Sequence, residues 1–179
     1  MRIIAAIVLL LTSLSPARAA VVDSNAGGFT VKVSVTIQAP PDEVYRKFVH
    51  NVGEWWNPQH TFSGKSENLS IEDKPQGCWC EKIGANGGAR HMQVLAAVPG
   101  KALVFSGAMG PMQPLALVGT MDIEFAAENS ATKLTLTYTV GGYVPAGANT
   151  FAQPTDVVLT DQAERLKNFV ELGRPVPPQ

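Results

Sequence analysis

Strict alternation of apolar and polar residues constrains this chain most, because a period of two fits a strand with one buried face. The clearest run is 133–140, where four apolar residues alternate with a lysine and three threonines. The same period occurs over 29–37 and, less strictly, over 115–127. These runs predict long strands of an antiparallel sheet that buries one face.

Weaker strand signals lie between these runs and are separated by turn residues. Short strands are predicted at 69–72, 78–82, 91–98 and 102–106. The last two predict a hairpin across Pro99-Gly100-Lys101, since proline and glycine favour turns. Residues 107–114 are rich in glycine, proline and methionine, and they predict a flexible loop.

Apolar residues recur at helical spacing in two parts of the chain. Val44, Phe48 and Val52 share one helical face and predict a short helix. Residues 51–58 predict a second short helix or a tight turn. The longest helix is predicted over 155–171, where a stripe of apolar residues is opposed by charged ones.

The order is therefore a strand, two short helices, a run of antiparallel strands and one long terminal helix. An antiparallel sheet with its helices gathered on one side is the α+β solution for burying such elements. We predict a curved sheet wrapped around the helix at 155–171. Such a layout readily leaves a pocket beneath the helix.

The first nineteen residues have the three zones of a cleavable signal peptide. Met1-Arg2 is positive, 3–11 is an uninterrupted apolar run, and Ala17-Arg18-Ala19 has the small-x-small pattern that signal peptidase cuts. The apolar run is about half of the ~20 residues that a membrane-spanning helix needs. A membrane anchor or a buried N-terminal helix is the alternative reading. We predict a periplasmic or secreted protein.

The predicted signal peptide sets the domain organisation. We predict a signal peptide over 1–19, a flexible N-terminal segment over 20–28, one domain over 29–173 and a proline-rich tail over 174–179. The rest of the chain has no apolar stretch long enough to cross a membrane.

Charge and motifs exclude several classes of function. The chain has 14 Lys and Arg against 15 Asp and Glu, and it lacks the basic patch of a nucleic-acid-binding surface. The sequence has no phosphate-binding glycine loop, nucleophile elbow or His-Glu-x-x-His helix. We therefore predict no nucleic-acid partner and no cofactor.

A series of short motifs follows in order along 29–173. They are the strand 31–37 with Ala39-Pro40-Pro41-Asp42 after it, Pro75-Gln76-Gly77, Cys78-Trp79-Cys80 in a strand ending at Glu81, Val98-Pro99-Gly100-Lys101, Gly110-Pro111-Met112-Gln113, Gly119-Thr120-Met121, Gly141-Gly142-Tyr143 and the closing helix 166–171. This arrangement resembles the START-like, or SRPBCC, superfamily of helix-grip proteins, which includes polyketide cyclases and plant pollen allergens. The likeness is greatest to an exported bacterial branch.

The resemblance implies a hydrophobic cavity between the sheet and the terminal helix. It does not imply one reaction, since binding and catalysis both occur on this fold. We predict a hydrophobic small molecule or lipid as the partner, in a pocket of roughly 300–1,000 Å³. The predicted lining is Val33, Val35, Trp55, Trp56, Phe62, Leu103, Phe105, Met109, Met112, Ile123, Phe125, Leu136, Tyr138, Leu159 and Leu166.

Core packing is the alternative for every one of these apolar positions. Trp55, Trp56 and Phe62 are expected at the mouth of the cavity, or else they close the end of the sheet. Met109 and Met112 suit a mobile lid because their side chains are flexible and polarizable, and they suit buried gaps equally well.

Cys78 and Cys80 are the most distinctive polar pair, since residues two apart on a strand share one face. An exported protein favours a disulfide, but the Cα atoms of a regular strand would be ~6.5–7 Å apart, at or beyond the bridging limit. A local bridge therefore requires a kink. The alternatives are two small buried hydrophobic residues, or a soft-metal site for copper or zinc completed by His60 or His91.

An enzymatic function is the alternative to binding. His60, His91, Glu81 and Tyr138 are candidate proton carriers for a polyketide cyclase or dehydratase-like reaction, because His titrates close to neutral pH. This alternative requires at least two of these side chains to converge inside the cavity. For each histidine, the alternative to a role in proton transfer is an ordinary structural role.

Overall fold

A computed structural model describes residues 18–175. Most of the predicted signal peptide, 1–17, and the end of the predicted tail, 176–179, lie outside the described residues. The strands are β1 (Arg18–Asn25), β2 (Gly28–Ile37), β3 (Leu69–Ile71), β4 (Cys78–Ile83), β5 (Gly87–Val98), β6 (Ala102–Ser106), β7 (Ala116–Glu128) and β8 (Ala131–Tyr143). The helices are α1 (Pro41–His50), α2 (Val52–Trp55) and α3 (Ala152–Leu172), with 3₁₀ turns at Pro58–His60, Ser66–Asn68, Gly110–Met112 and Ala148–Phe151.

The strands within residues 18–175 form one antiparallel sheet in the order β1-β2-β8-β7-β6-β5-β4-β3. The sheet is curved, and α3 packs against β1 and β2 at one side of it. The predicted α+β architecture, a curved antiparallel sheet with a long C-terminal helix, is confirmed. In the described part of the chain, no helix is both long and apolar enough to cross a membrane.

The N-terminal segment differs from its prediction. The sequence predicts a flexible segment over 20–28, whereas the structure places most of it in β1, paired antiparallel with β2. Of the β1 side chains from Ala20 onward, only Val21 is even half-buried. The strand therefore lacks the apolar alternation that marks a buried face, and its backbone pairing with β2 defines it.

Alternation places one face of each long strand in the core. Val33 of β2 pairs with Leu136 of β8, and Leu136 pairs in turn with Ile123 of β7, and all three are buried. Helix α3 covers this face with Leu159, Ala163, Leu166 and Val170, the stripe that its sequence predicts. Complete burial of one such Leu or Ile side chain stabilises the fold by about 1.5–3 kcal/mol.

An aromatic cluster fills the interior between α1, α2 and the sheet. The ring centroids of Phe48 and Trp55 are 5.2 Å apart, and those of Phe48 and Trp79 are 5.9 Å apart. Trp79 also lies 5.0 Å from Trp56 and 5.6 Å from Phe105. Edge-to-face and tilted contacts of this kind stabilise aromatic pairs beyond their burial, so the cluster is a packed wall.

Buried and part-buried polar contacts tie the segment after α2 to α3. Arg165 Nε donates to the Trp55 carbonyl at 2.9 Å, and Gln162 Oε1 accepts the Asn57 N–H at 2.8 Å. The Asn57 side chain donates to Asp161 at 2.8 Å. These bonds fix the position of Trp56, which lies between Trp55 and Asn57.

Candidate functional site

A cleft of about 240 Å³ opens at one end of the interface between the sheet and α3. Its walls come from the first turns of α3, the segment after α2, the 109–112 loop and inward-facing residues of the strands. The lining is mostly apolar. It comprises Trp56, Gln59, His60, Thr61, Phe62, Leu69, Trp79, His91, Met109, Gly110, Pro111, Met112, Tyr138, Phe151, Pro154, Thr155, Val158 and Leu159.

Eight of the residues singled out in the sequence reach this cleft. They are Trp56, Phe62, Met109, Met112, Tyr138, Leu159, His60 and His91. The other predicted lining residues do not border this cleft and pack in the closed core. These are Val33, Val35, Trp55, Leu103, Phe105, Ile123, Phe125, Leu136 and Leu166.

The aromatic cluster explains why the cleft is smaller than expected. Trp55 and Trp79 occupy space beneath the middle of α3 that an open interior would leave free. Behind the cleft, a void of about 10 Å³ remains between these rings and α3. The cleft is therefore confined to the mouth of the fold.

Several lining residues were not singled out in the sequence. Trp79 could have been found there, because the alternation of β4 places Trp79 and Glu81 on the face opposite Cys78 and Cys80. Leu69 could also have been found, because it begins the short strand β3 that the sequence predicts. Phe151 and Pro154 had no signal because α3 begins at Ala152, earlier than predicted, whereas Thr155 and Val158 lie in the predicted helix but outside its apolar stripe.

His91 reaches the cleft through a β-bulge. Trp79 pairs with Met92 and Cys80 pairs with Arg90, so His91 is an extra residue in β5 with no opposite residue in β4. His91 and Met92 are both buried, although neighbours in a regular strand point to opposite faces. Bulges re-aim side chains in this way and occur often beside active sites.

Glu81 lies behind His91 and accepts hydrogen bonds from three donors. Its carboxylate accepts the backbone N–H groups of Phe62 and Ser63 and lies 2.8 Å from His91 Nε2. Burial opposes ionisation, but hydrogen bonds from Ser63, Phe62 and His91 outweigh it and hold the pKa of Glu81 below its ordinary value. Glu81 is therefore a buried carboxylate at neutral pH.

The His91 ring is fixed on two sides. Its Nε2 is engaged by Glu81, and the Phe62 ring stacks on it with centroids 5.3 Å apart and planes 18° apart. Nδ1 is the imidazole nitrogen that does not contact Glu81, and the residue as a whole lines the cleft. Carboxylate–imidazole pairs of this kind orient histidines that bind ligands or move protons.

Tyr138 anchors the loop on the other side of the cleft. Its hydroxyl donates to the Gly107 carbonyl at 2.9 Å and accepts the Met109 N–H at 3.2 Å. Burial raises the pKa of Tyr138 to about 12, so the hydroxyl stays protonated at neutral pH. The predicted flexible loop is thereby tied to β8, and it contains the turn Gly110–Met112.

Trp79 and His60 contribute two further polar groups to the lining, which also includes Gln59, Thr61 and Thr155. The Trp79 indole N–H is buried and has no hydrogen-bond partner among residues 18–175. His60 is exposed at the rim, where its carbonyl accepts the Trp56 indole N–H at 3.0 Å. His60 and His91 thus both border the cleft, with His91 in its wall and His60 at its edge.

Cys78 and Cys80 form a disulfide with each other, and their Cα atoms are 5.4 Å apart. This separation is shorter than in a regular strand, and it coincides with the register shift between Trp79 and Cys80. Because the two sulfurs are bonded to each other, neither is a thiolate that could bind copper or zinc, as the soft-metal alternative requires. Within the described residues, no group of three or more His, Cys, Asp or Glu is placed to hold a metal ion.

No protein-family model matches the chain, and a search of curated proteins finds no relative. Solved structures do match. CalU16 from Micromonospora echinospora has a TM-score of 0.54 at 16% identity, over 88% of this chain and 87% of that one. Ara h 8.0201 has a TM-score of 0.57 at 14% identity, over 80% of this chain and 98% of that one.

A third similar structure is DynU16, a protein of the dynemicin biosynthetic locus. Its TM-score is 0.57 at 19% identity, and the match covers 83% of this chain and 49% of that one. Identities this low establish the fold alone. Together with the sheet order and the C-terminal helix, they show that this chain has the helix-grip fold.

Proposed function

We propose that this chain is an exported START-like protein that binds a hydrophobic small molecule in the cleft between the sheet and α3. The observation that carries the proposal is the mostly apolar cleft beside α3, bordered by Trp56, Trp79 and Leu159. Apolar clefts with a few oriented polar groups are typical of small-molecule sites.

The volume of the cleft favours a compact ligand. About 240 Å³ is somewhat below the usual range of roughly 300–1,000 Å³ for drug-sized ligands. A fused or single ring system suits this space better than an extended acyl chain. A carbonyl or hydroxyl oxygen on the ligand would satisfy the buried Trp79 N–H, which otherwise costs about 1–3 kcal/mol.

Native mass spectrometry of the protein purified from its own host tests this proposal. We expect a bound species of low mass that organic solvent releases. A thermal-shift screen with small aromatic ketones and short fatty acids then ranks ligand classes. An apolar probe that raises the melting temperature supports the cleft as the site only if a variant that fills the cleft abolishes the effect.

Two adjacent valines of α3 provide the matched variants. Val158 lines the cleft and is half-buried, whereas Val157 is 61% exposed and lies outside the cleft. Val158→Trp should abolish binding, and Val157→Trp should leave it unchanged. Equal binding by both variants would place the ligand elsewhere and end the proposal.

A second candidate is acid–base catalysis of the polyketide cyclase or dehydratase type. The 2.8 Å contact between Glu81 and His91, which lines the cleft, favours it, because an oriented imidazole can transfer a proton to or from a bound ligand. DynU16, which shares the fold, belongs to a biosynthetic locus. Tyr138 is not proposed as the base, because its raised pKa keeps it protonated, and it anchors the loop.

The two candidates are separated by the fate of the compound recovered from the host. If the protein is an enzyme, incubating it with that compound or its precursor should give a chemically changed product. His91→Gln should then abolish turnover while binding persists. His50→Gln, on the exposed end of α1, is the matched control. A compound that binds and is always recovered unchanged leaves the binding function alone.

Export is the remaining part of the proposal. Its support is the charged start, apolar run and Ala17-Arg18-Ala19 pattern of the N-terminus. N-terminal sequencing of protein from the periplasm or medium of the host should give a chain that starts at Ala20. An intact Met1 in a cytosolic fraction would contradict export.

A further inference from the structure

The Cys78–Cys80 disulfide lies on the outer face of β4, directly behind the cleft. Both cysteines are partly exposed, whereas Trp79 between them is 1% exposed and forms part of the cleft wall. A thiol in solution can therefore reach the sulfurs without entering the core. The residue that the bridge encloses is itself a wall of the candidate site.

The bridge shortens β4 at the point where β5 carries its extra residue. Two residues of a regular strand advance the Cα atoms by about 6.4–6.8 Å, but Cys78 and Cys80 are 5.4 Å apart. Over the same stretch, β5 runs from Gln93 to Arg90 and includes the bulged His91. The contracted strand and the bulge thus face each other, and the bulge is what turns His91 into the cleft.

We propose that Cys78–Cys80 is a reversible thiol–disulfide exchange site whose redox state sets the positions of Trp79 and His91 in the cleft. A bridge across one intervening residue gains little from loop closure, since that contribution grows with loop length. Exposed disulfides are also the more readily reduced ones. In the reduced state β4 extends toward regular geometry, and its register against the His91 bulge changes.

The exchange consumes one dithiol, or two monothiols, for each bridge. A thiolate of the reductant attacks the sulfur of Cys78, the S–S bond breaks, and Cys80 leaves as a thiolate. A second thiol then attacks the mixed disulfide and releases Cys78, so two electrons and two protons pass to the protein and the reductant becomes a disulfide. Cys80 is the favoured leaving group because Arg90 is its cross-strand partner, and a nearby guanidinium stabilises a thiolate.

Thiol labelling under native conditions tests the exchange itself. The full mature chain is equilibrated with dithiothreitol and then alkylated, while far-UV circular dichroism follows the fold. We expect two labelled thiols per chain with the circular dichroism spectrum retained. Labelling that appears only after unfolding, or reduction that unfolds the chain, would overturn the proposal and leave a purely structural bridge.

The coupling to the cleft is read from the indole N–H signals. The chain has three tryptophans, so a ¹H–¹⁵N spectrum contains three indole peaks, and Trp79→Phe identifies the Trp79 peak by its loss. Reduction should shift the Trp79 peak and leave the Trp55 peak, whose N–H is bonded to the Lys47 and Phe48 carbonyls, in place.

A Cys78→Ser/Cys80→Ser double variant is the control, and dithiothreitol should not change its spectrum. Reduction of the wild type without a shift at Trp79 would contradict the coupling. Neither measurement uses a ligand. A failure here is therefore distinguishable from a failure of the proposed binding function.

Discussion

Nε2 of His91 lies 2.8 Å from Oε2 of Glu81, and both side chains are buried where β4 and β5 meet the cleft. The same carboxylate accepts the backbone N–H groups of Phe62 and Ser63. One buried group therefore connects the wall of the cleft, through His91, with its rim, through Phe62. Substitutions at Glu81 should affect stability and the shape of the cleft together.

Glu81→Gln should destabilise the protein by about 1–3 kcal/mol at neutral pH, since three donors lose a charged acceptor. The pKa of Glu81 is below its ordinary value of 4.5 in the folded state. Its stabilising contribution is therefore complete at neutral pH and is lost as the pH falls below about 4.5 and through the folded-state pKa. Urea unfolding at neutral pH and at about pH 4 measures both effects.

The control for this prediction is Glu124→Gln on the exposed face of β7. It should unfold like the wild type at both pH values. If the free energy of unfolding of Glu81→Gln fell with acid as much as that of the wild type, the acid dependence would not come from the Glu81 carboxylate.

Tyr138→Phe should loosen the loop that borders the cleft. It removes a donor to the Gly107 carbonyl and an acceptor for the Met109 N–H, at a cost of about 0.5–1.5 kcal/mol for each bond lost. We expect faster hydrogen exchange over 107–113 and little change in β2. Tyr143→Phe, at a side chain that is 73% exposed, is the matched control and should exchange as the wild type does.

Gly119→Ala should displace the Tyr138 ring. A Cβ at Gly119 would lie 2.6 Å from Tyr138 Cε2 and 3.0 Å from the Thr139 carbonyl, and such overpacking costs about 1–3 kcal/mol. Gly141→Ala is the control, because the nearest atom to its Cβ is at 3.5 Å. Thermal unfolding of the two variants measures the difference, and equal melting temperatures would contradict the close approach.

Gln162→Leu should free the segment that carries Trp56 and His60. The substitution roughly keeps the side chain's size but leaves the part-buried Asn57 N–H without its acceptor, which costs about 1–3 kcal/mol. We expect loss of protection at the Asn57 amide in hydrogen exchange. Gln153→Leu, at an exposed position of the same helix, should leave that amide protected.

The fold could be predicted because its signals are local. Alternation in β2, β7 and β8 fixes which face each strand buries, and the stripe on α3 follows from the helical period. Strand β1 was missed because pairing of its exposed residues depends on the backbone of β2, which leaves no apolar pattern.

The cleft could be predicted only in part, since it depends on how side chains fill space. Alternation identifies Phe105 and Leu136 as inward-facing, but it does not distinguish a residue in a filled core from one that borders a void. That distinction rests on Trp55 and Trp79, which fill the interior. The bulge at His91 also depends on the relative register of β4 and β5, which neither strand specifies alone.

Ser34 of β2 and Thr135 of β8 are hydrogen-bonded neighbours, although 101 residues separate them in the sequence. Joining them closes a long loop, and such high contact order slows folding. A nascent chain must therefore reach its last third before β1 and β2 can join the rest of the sheet through β8. Until then the edge of β2 that pairs with β8 in the folded sheet has no partner strand.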